Sequence, residues 1–201
     1  KLGGGWSVGA GGRYYRTSTD SATTGTQFGA PTPVGPLYSN DSGFTPKLTV
    51  KYRFGDSQWY ATAAKGYRYG GRNGPPTNDE YKSDSLWSYE TGVRLSPGGG
   101  VQLDLSAFML DWKDAQFTFF ERINGTLPNS RIGNVGKARS TGLEAALRWR
   151  VNAAFDVAAS LASIDAKTRA PVTIPSGGPT SITVAPGAKL PGTPDLQAAL
   201  Q

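Results

Sequence analysis

Hydrophobic and polar residues alternate along three segments of the chain. In Lys47–Phe54, every second residue from Leu48 onwards is apolar or aromatic, and the residues between them are lysine, threonine or arginine. The same alternation runs through Trp87–Ser96 and Gly142–Val151. Because successive side chains of a strand point to opposite faces, each segment predicts a β-strand with one apolar face and one polar or charged face.

Weaker alternation predicts further strands before, between and after these three. They are Trp6–Tyr15, Gln58–Tyr67, Val101–Met109, Phe155–Leu161 and Leu196–Leu200. After Met109 the alternation breaks, which indicates a bulge or a change of environment at that point. The pattern therefore predicts an all-β protein of about seven to eight strands.

The connections between these strands alternate in length. Residues 17–43, 70–83, 123–135 and 165–190 form long connections rich in threonine, glycine and proline, whereas 55–57, 97–100 and 152–154 are short. We interpret the long connections as loops. Loops sorted by length between the two ends are typical of outer-membrane barrels, which have short turns on one side and long loops on the other.

Charged residues lie on the polar faces of the predicted strands, for example Lys47, Arg53 and Arg150. Burying them inside a small soluble barrel would cost several kcal/mol each unless they are paired, whereas a wide lumen filled with water or a plug removes that cost. The apolar faces would then contact lipid, with aromatic residues at the membrane interface. The residues predicted for that interface are Trp6, Trp59, Trp87, Tyr89 and Trp149.

Two architectures account for the alternation. A soluble β-sandwich, with one face on a core and one in water, explains the alternating pattern equally well. It does not explain the sorted connections or the aromatic residues near strand ends. We therefore predict an antiparallel up-and-down transmembrane β-barrel.

The amino-acid composition excludes several kinds of catalytic and metal-binding site. The 201 residues include no His and no Cys, which removes the usual general base, the thiol nucleophile and the commonest metal ligands. We expect no catalytic residue, no metal site and no cofactor. The net charge of +6 comes from scattered basic residues, which argues against a nucleic-acid site, where lysine and arginine cluster on one face.

The length decides between a complete small barrel and a piece of a large one. Twenty-two strands of ~9 residues would need about 198 residues for the strands alone, so a plugged large barrel does not fit. The chain ends Ala198-Ala199-Leu200-Gln201, without the aromatic residue that commonly closes a bacterial barrel. We interpret residues 1–201 as a single partial barrel domain from a larger barrel, without its plug.

Several strings resemble those of TonB-dependent outer-membrane receptors. The family's "tPk" and "YAsyskGFrpGG" resemble Phe44–Lys47 and Trp59–Gly71, and "yElGlK" resembles Ser88–Arg94. The family's "aFymdykDaQ", "NvGkarskGlE" and "lPntP" are similar to Leu105–Gln116, Asn134–Glu144 and Leu190–Pro194. Each string is weakly specific alone, but their order and spacing together are a strong signal.

The resemblance implies active import across the bacterial outer membrane. It implies outer-membrane lipid, the TonB complex (through a missing N-terminal part) and a scarce ligand, typically a ferric siderophore, as partners. A passive porin-type channel and an outer-membrane enzyme are the competing functions, and the missing histidine argues against the enzyme. The candidate ligand-binding or lumen-lining residues are Arg68, Arg72, Asn73, Glu90, Arg94, Glu144 and Arg148.

Three further features leave alternatives open. The strand glycines Gly66, Gly92 and Gly142 either avoid crowding a neighbouring strand or plug, or reflect ordinary sheet curvature. The charged candidates either contact the ligand or plug, or are solvated or mutually paired wall charges, the interpretation we favour. Phe117, Phe119 and Phe120 either stack on a ligand or anchor the membrane interface, and we favour the anchor.

Overall fold

A computed structural model gives the fold of the chain and describes residues 4–27, 30–73, 79–122, 128–175 and 181–201. Among these residues, no helix has the length and apolarity that crossing a membrane requires. The strands are β1 (Trp6–Gln27), β2 (Ala30–Phe54), β3 (Ser57–Arg68), β4 (Gly71–Arg72), β5 (Glu80–Tyr81), β6 (Asp84–Gly98), β7 (Val101–Lys113), β8 (Gln116–Arg122), β9 (Pro128–Asn134), β10 (Ala138–Asn152), β11 (Phe155–Thr168), β12 (Val172–Pro175), β13 (Ser181–Val184) and β14 (Leu196–Leu200).

Eight of these strands form one antiparallel sheet in the order β1-β2-β3-β6-β7-β10-β11-β14. All the predicted strands lie within it, so the all-β, up-and-down prediction is confirmed. The sheet is open, with β1 and β14 at its edges. The short connections are tight turns, as predicted, and the one after β2 uses Gly55 at φ 56°.

The prediction of a loop over residues 17–43 is wrong. Strand β1 continues to Gln27 and β2 begins at Ala30, and the two remain paired from Trp6↔Tyr52 to Gln27↔Ala30, with one register shift near Ser21. Threonine is frequent in residues 17–26, and β-branched residues fit a pleated ladder. Cross-strand pairing therefore outweighs the glycine and proline content that suggested a loop.

The other long connections also contain paired strands. Separate two-stranded sheets are formed by β4 with β5, β8 with β9 and β12 with β13. Each lies between two strands of the large sheet, at the end opposite the tight turns, although β8 precedes the long connection predicted at residues 123–135. This end is called the hairpin end below. The predicted difference between the two ends is confirmed, but the long segments are hairpins where loops were predicted.

The break in alternation after Met109 does not mark a bulge in β7. The strand runs to Lys113, and its pairing with β10 has no register shift between Val101 and Trp112. The alternative of a changed environment accounts for the break, because Trp112 contacts residues of the hairpin end.

The register defines two faces of the sheet. The apolar face carries one cross-strand row of Val50, Ala61, Thr91, Ala107 and Leu143. The polar face carries the neighbouring row of Lys51, Tyr60, Gly92, Ser106 and Glu144. Among the described residues, the buried hydrophobic ones are Ala115, Val135, Ala138, Ala166 and Val172, so the packed core lies at the hairpin end.

Two polar-face glycines lie beneath aromatic rings of the adjacent strand. A Cβ on Gly92 would meet Leu105 O at 2.6 Å and Tyr60 Oη at 2.8 Å. A Cβ on Gly142 would meet Phe108 Cζ and Ser163 O, both at 2.5 Å. The crowding interpretation therefore holds at these two positions. Gly66 has room, because the nearest atom to its Cβ position is 3.8 Å away.

Candidate functional site

The polar face carries a small charged cluster on β3, β6 and β7. Tyr60 Oη donates a hydrogen bond to Glu90 Oε1 at 2.5 Å. Arg94 Nε lies 3.7 Å from Asp104 Oδ1, and both side chains are largely exposed. The Arg94 guanidinium also lies 5.5 Å from the centre of the Tyr60 ring, within cation–π range. The predicted residues Glu90 and Arg94 are thus held in one cluster.

Glu144 and Arg148 lie on the same face, on β10, but further along the sheet. Glu144 is in register with Ser106 and Ala162, and Arg148 is in register with Gln102 and Ala158. Neither charge forms an ion pair within the part of the chain that the structure describes. Four of the predicted residues therefore share one face; Glu90 and Arg94 contact other side chains there, whereas Glu144 and Arg148 form no ion pair among the described residues.

Arg68 belongs to a different environment, at the hairpin end. Its Nε lies 3.1 Å from both carboxylate oxygens of Asp84, and its Nη2 also donates to Asp84. Asp84 is 3% exposed and additionally accepts hydrogen bonds from Trp112 Nε1 at 3.1 Å and from the Gln116 backbone N–H at 3.0 Å. One buried carboxylate therefore joins β3, β6, β7 and β8.

Arg72 and Asn73 were predicted from their position alone; Asn73 joins the β4–β5 hairpin to β9, whereas Arg72 forms its ion pair within its own hairpin. Asn73 is buried; its Nδ2 donates to Ile132 O at 2.8 Å and its Oδ1 accepts from Ile132 N at 2.7 Å. Arg72 pairs with Glu80 across β4 and β5 at 3.0 Å. The buried Arg72 Nε has no hydrogen-bond partner among the described residues.

Sequence reasoning missed two amides that hold the hairpin end in place. Gln116 Nε2 donates to Tyr69 O at 3.0 Å and to Lys82 O at 2.9 Å. Asn134 Nδ2 donates to Lys82 O at 2.9 Å and to Asp114 O at 2.6 Å, and its Oδ1 accepts from Lys82 N at 2.7 Å. The signal was present, since both amides lie within strings that carry the family resemblance.

The phenylalanines of β8 pack against the small core of the hairpin end. Phe117 and Phe119 contact the buried cluster of Ala115, Val135 and Val172. The Phe117 ring centre is 6.3 Å from that of Trp112. These two rings thus stabilise the hairpin, and the Phe120 side chain lies outside what the structure describes.

A second contact connects the β1–β2 hairpin with β3. The Tyr15 and Tyr67 rings stack with centres 3.8 Å apart, and Tyr67 donates its hydroxyl hydrogen to Asp41. One ring stack and one hydrogen bond therefore hold the β1–β2 hairpin against β3.

The predicted interface aromatics fall into two groups on the apolar face. Near the tight turns, the ring centre of Trp6 is 4.7 Å from that of Tyr52 and 6.1 Å from that of Trp59. Trp149 lies at this end as well, next to the turn after β10, and is 43% exposed. Towards the hairpin end, Trp87 and Tyr89 stack with centres 5.8 Å apart.

Comparison with known proteins identifies the architecture. A family model described as TonB-dependent receptor-like β-barrel matches residues 1–201. No curated protein shows significant similarity to the chain. Among solved structures, the ferric yersiniabactin uptake receptor FyuA of Yersinia pestis is similar, with a TM-score of 0.73 and 24% identity over 96% of this chain and 28% of FyuA.

Two further structures share the fold at lower identity. The copper transporter OprC has a TM-score of 0.66 and 17% identity, over 81% of this chain and 27% of OprC. The alcaligin outer-membrane receptor FauA of Bordetella pertussis has a TM-score of 0.57 and 15% identity, over 91% of this chain and 31% of FauA. The chain thus spans less than a third of each protein. Its match to the family model over the full 201 residues shows that it belongs to the TonB-dependent receptors and carries part of their β-barrel.

Proposed function

We propose that this chain forms part of the wall of a bacterial outer-membrane receptor that imports a ferric siderophore, driven by the TonB complex. The observation that carries the proposal is the match of the whole chain to the barrel of TonB-dependent receptors, a family of transport receptors. FyuA and FauA are named for the uptake or binding of yersiniabactin and alcaligin, which favours an iron chelate. OprC, named as a copper transporter, represents the alternative ligand class.

The two faces support a membrane position with the apolar face towards lipid. Tyr14 follows Trp6 by eight residues on β1, which corresponds to about 27 Å along the strand. At a strand tilt of ~40°, this length spans about 20 Å of the membrane thickness. This is close to the ~25 Å apolar band of outer-membrane barrels. On β3, the apolar face has no charged residue from Trp59 until Lys65.

The same placement gives the polar face a role in the lumen. Glu144 and Arg148 would be wall charges that face the plug or the ligand route, since the described residues leave both unpaired. Arg68 and Asn73 would act indirectly, because their hydrogen-bonding groups hold the hairpins that form the outer surface. We propose no catalytic role for any of these residues.

An uptake assay tests the proposed function. Cells that produce the full-length receptor containing this chain should accumulate radioactive iron from a ferric siderophore panel, and a protonophore should abolish accumulation, because TonB-driven import needs the proton-motive force. Uptake that survives the protonophore would indicate a passive porin-type channel. A purified chain that remains monomeric in buffer without detergent would contradict the membrane position.

Substitution of Arg148 tests the lumen assignment. We expect Arg148→Glu in the full-length receptor to lower the import rate several-fold and to leave siderophore binding at the cell surface unchanged, because the charge lies on the polar face near the tight turns. The control exchanges the charges of the neighbouring pair, Arg150→Glu with Asp156→Arg, because this keeps an ion pair at the exposed turn, whereas Arg150→Glu alone would place two like charges opposite each other. Equal import by the two variants would contradict the assignment.

A further inference from the structure

The ring of Tyr15 crosses β2 and reaches a second tyrosine two strands away. Tyr15 lies on β1 and Tyr67 lies on β3, and β2 separates these two strands in the sheet. The register partner of Tyr15 on β2 is Gly43. A Cβ on Gly43 would meet Tyr15 Oη and would lie 2.6 Å from Tyr15 Cζ, so the ring lies directly over the glycine. The missing side chain at residue 43 therefore leaves the space through which the two rings meet.

The two rings lie face to face at contact distance. Their centres are 3.8 Å apart and their planes differ by 23°. Non-bonded carbon atoms attract each other best at about 3.5 to 4.0 Å, so ring carbons of Tyr15 lie against ring carbons of Tyr67. No other two tyrosine rings are in contact among the side chains that the structure describes. A reaction that joins two phenol rings therefore has one favoured place in this part of the chain.

A carboxylate lies beside one of the two phenols. Tyr67 donates its hydroxyl hydrogen to Asp41, which precedes Gly43 by two residues on β2. Both tyrosines are half-buried, so a small oxidant in solution can reach them. A phenol that loses an electron becomes a strong acid, and a base already hydrogen-bonded to its hydroxyl can accept the proton directly. Asp41 is placed to be that base for Tyr67.

We propose that Tyr15 and Tyr67 are a site of oxidative modification, at which hydrogen peroxide, activated by a haem or iron catalyst, joins the two rings as dityrosine. Each phenol loses one electron and its hydroxyl proton; the proton of Tyr67 passes to Asp41 and that of Tyr15 to water. A carbon–carbon bond forms between the ring positions next to the two phenol oxygens. The hydrogens on these carbons then move to the oxygens through solvent, which restores both phenols. The two electrons and two protons that were removed convert one peroxide into two water molecules.

The crosslink fixes the β1–β2 hairpin to β3 beyond the end of their backbone ladder. The pairing of β2 with β3 ends at Lys47↔Ala64, whereas β1 and β2 remain paired as far as Gln27↔Ala30. The stack of Tyr15 on Tyr67 and the hydrogen bond to Asp41 are non-covalent contacts past this end of the ladder. A covalent bond between the rings makes this attachment permanent, so peroxide restricts movement of the hairpin away from the sheet.

Oxidation of the purified full-length receptor in detergent tests this site. The receptor is treated with hydrogen peroxide and a small haem peptide as catalyst and is then digested. Mass spectrometry identifies pairs of peptides whose joint mass is lower than their sum by two hydrogen atoms. We expect the Tyr15–Tyr67 crosslink to form roughly tenfold more often than any other tyrosine–tyrosine crosslink of this chain, because its rings are already held together. The yield should not depend on receptor concentration, since both rings belong to one molecule.

Three variants test the geometry without removing either phenol. Gly43→Ala places a methyl group against the Tyr15 ring and should lower the crosslink yield several-fold. Gly11→Ala is the matched control on the face of β1 that carries Tyr15, because nothing lies within 4 Å of its Cβ position, and it should leave the yield unchanged. Asp41→Asn keeps an acceptor oxygen but removes the base, so it should slow the crosslinking several-fold.

Three results would overturn the inference. The first is the absence of the Tyr15–Tyr67 crosslink from the oxidised, unmodified receptor, and the second is an equal yield in Gly43→Ala and Gly11→Ala. The third is a yield that rises with receptor concentration, because coupling would then occur between molecules. An unchanged rate in Asp41→Asn would overturn the role of Asp41 as the proton acceptor. All these readouts are peptide masses, so the outcome does not depend on whether the receptor imports a siderophore.

Discussion

Replacing Asp84 by alanine is expected to open the hairpin end. The substitution leaves the Arg68 guanidinium, Trp112 Nε1 and the Gln116 N–H without their common acceptor. Removing one member of a buried pair costs about 3 to 5 kcal/mol, and the half-exposed Arg68 side chain places this case near 3 kcal/mol. Since every 1.4 kcal/mol is a factor of ten, amide hydrogens of β8 and β9 should exchange roughly 100-fold faster in the full-length receptor.

A second ion pair in the same region, whose carboxylate is exposed, provides the control. Glu80→Ala removes the partner of Arg72; the Glu80 side chain is 65% exposed and the Arg72 side chain 25%, so the cost should lie well below that of Asp84→Ala, at about 1 kcal/mol. The loss of stability in Asp84→Asn should lie between those of Asp84→Ala and Glu80→Ala, because asparagine keeps an acceptor oxygen but loses the charge. Similar exchange rates in the Asp84→Ala and Glu80→Ala variants would show that the buried carboxylate does not hold the hairpins together.

Adding a single methyl group at Gly142 is expected to destabilise the barrel wall. The new Cβ would lie 2.5 Å from Phe108 Cζ and 2.5 Å from the Ser163 carbonyl oxygen. The ring can rotate away, but the carbonyl belongs to the paired backbone of β11 and cannot move alone. We expect Gly142→Ala to lower the free energy of unfolding by about 2 kcal/mol, measured by urea unfolding of the full-length receptor in detergent.

Gly66 provides a matched control on the same face. Its Cβ position is 3.8 Å from the nearest atom, so Gly66→Ala should be neutral or slightly stabilising, because alanine has less backbone entropy to lose than glycine. Removing the ring by adding Phe108→Ala to Gly142→Ala should recover only part of the lost stability, since the contact with the Ser163 carbonyl oxygen remains. A destabilisation of the same size at Gly66 and Gly142 would mean that sheet curvature is what requires glycine at both positions.

The strand pattern was predictable because it depends only on the order of residues. Alternation with a period of two places Leu143 and Trp149 on one face and Glu144 and Arg148 on the other in any extended strand, whatever its neighbours are. The tight turns were predictable for a similar reason, since Gly55 takes the positive φ that such turns favour. The family strings then identified the kind of barrel.

The structure of the long connections was not predictable from local sequence. Residues 17–43 are rich in turn-forming residues, yet residues 17–27 and 30–43 lie in paired strands, because each strand supplies the other with hydrogen-bond partners that no local signal encodes. The structural role of Asp84 can be recognised only in the folded sheet, where Arg68, Trp112 and Gln116 donate hydrogen bonds to its carboxylate. Those residues lie 16 to 32 positions from Asp84 in the sequence.

The order of residues alone determined that this chain forms amphipathic antiparallel strands with different connections at the two ends, because side-chain direction in a strand follows from the backbone. Only the tertiary structure decided which charges remain unpaired. It buried Asp84 against Arg68 and Asn73 against Ile132, and it left Glu144, Arg148 and Lys65 without partners among the described residues. Pairing depends on which strands become neighbours and in which register, and a one-residue shift in register would change every such contact.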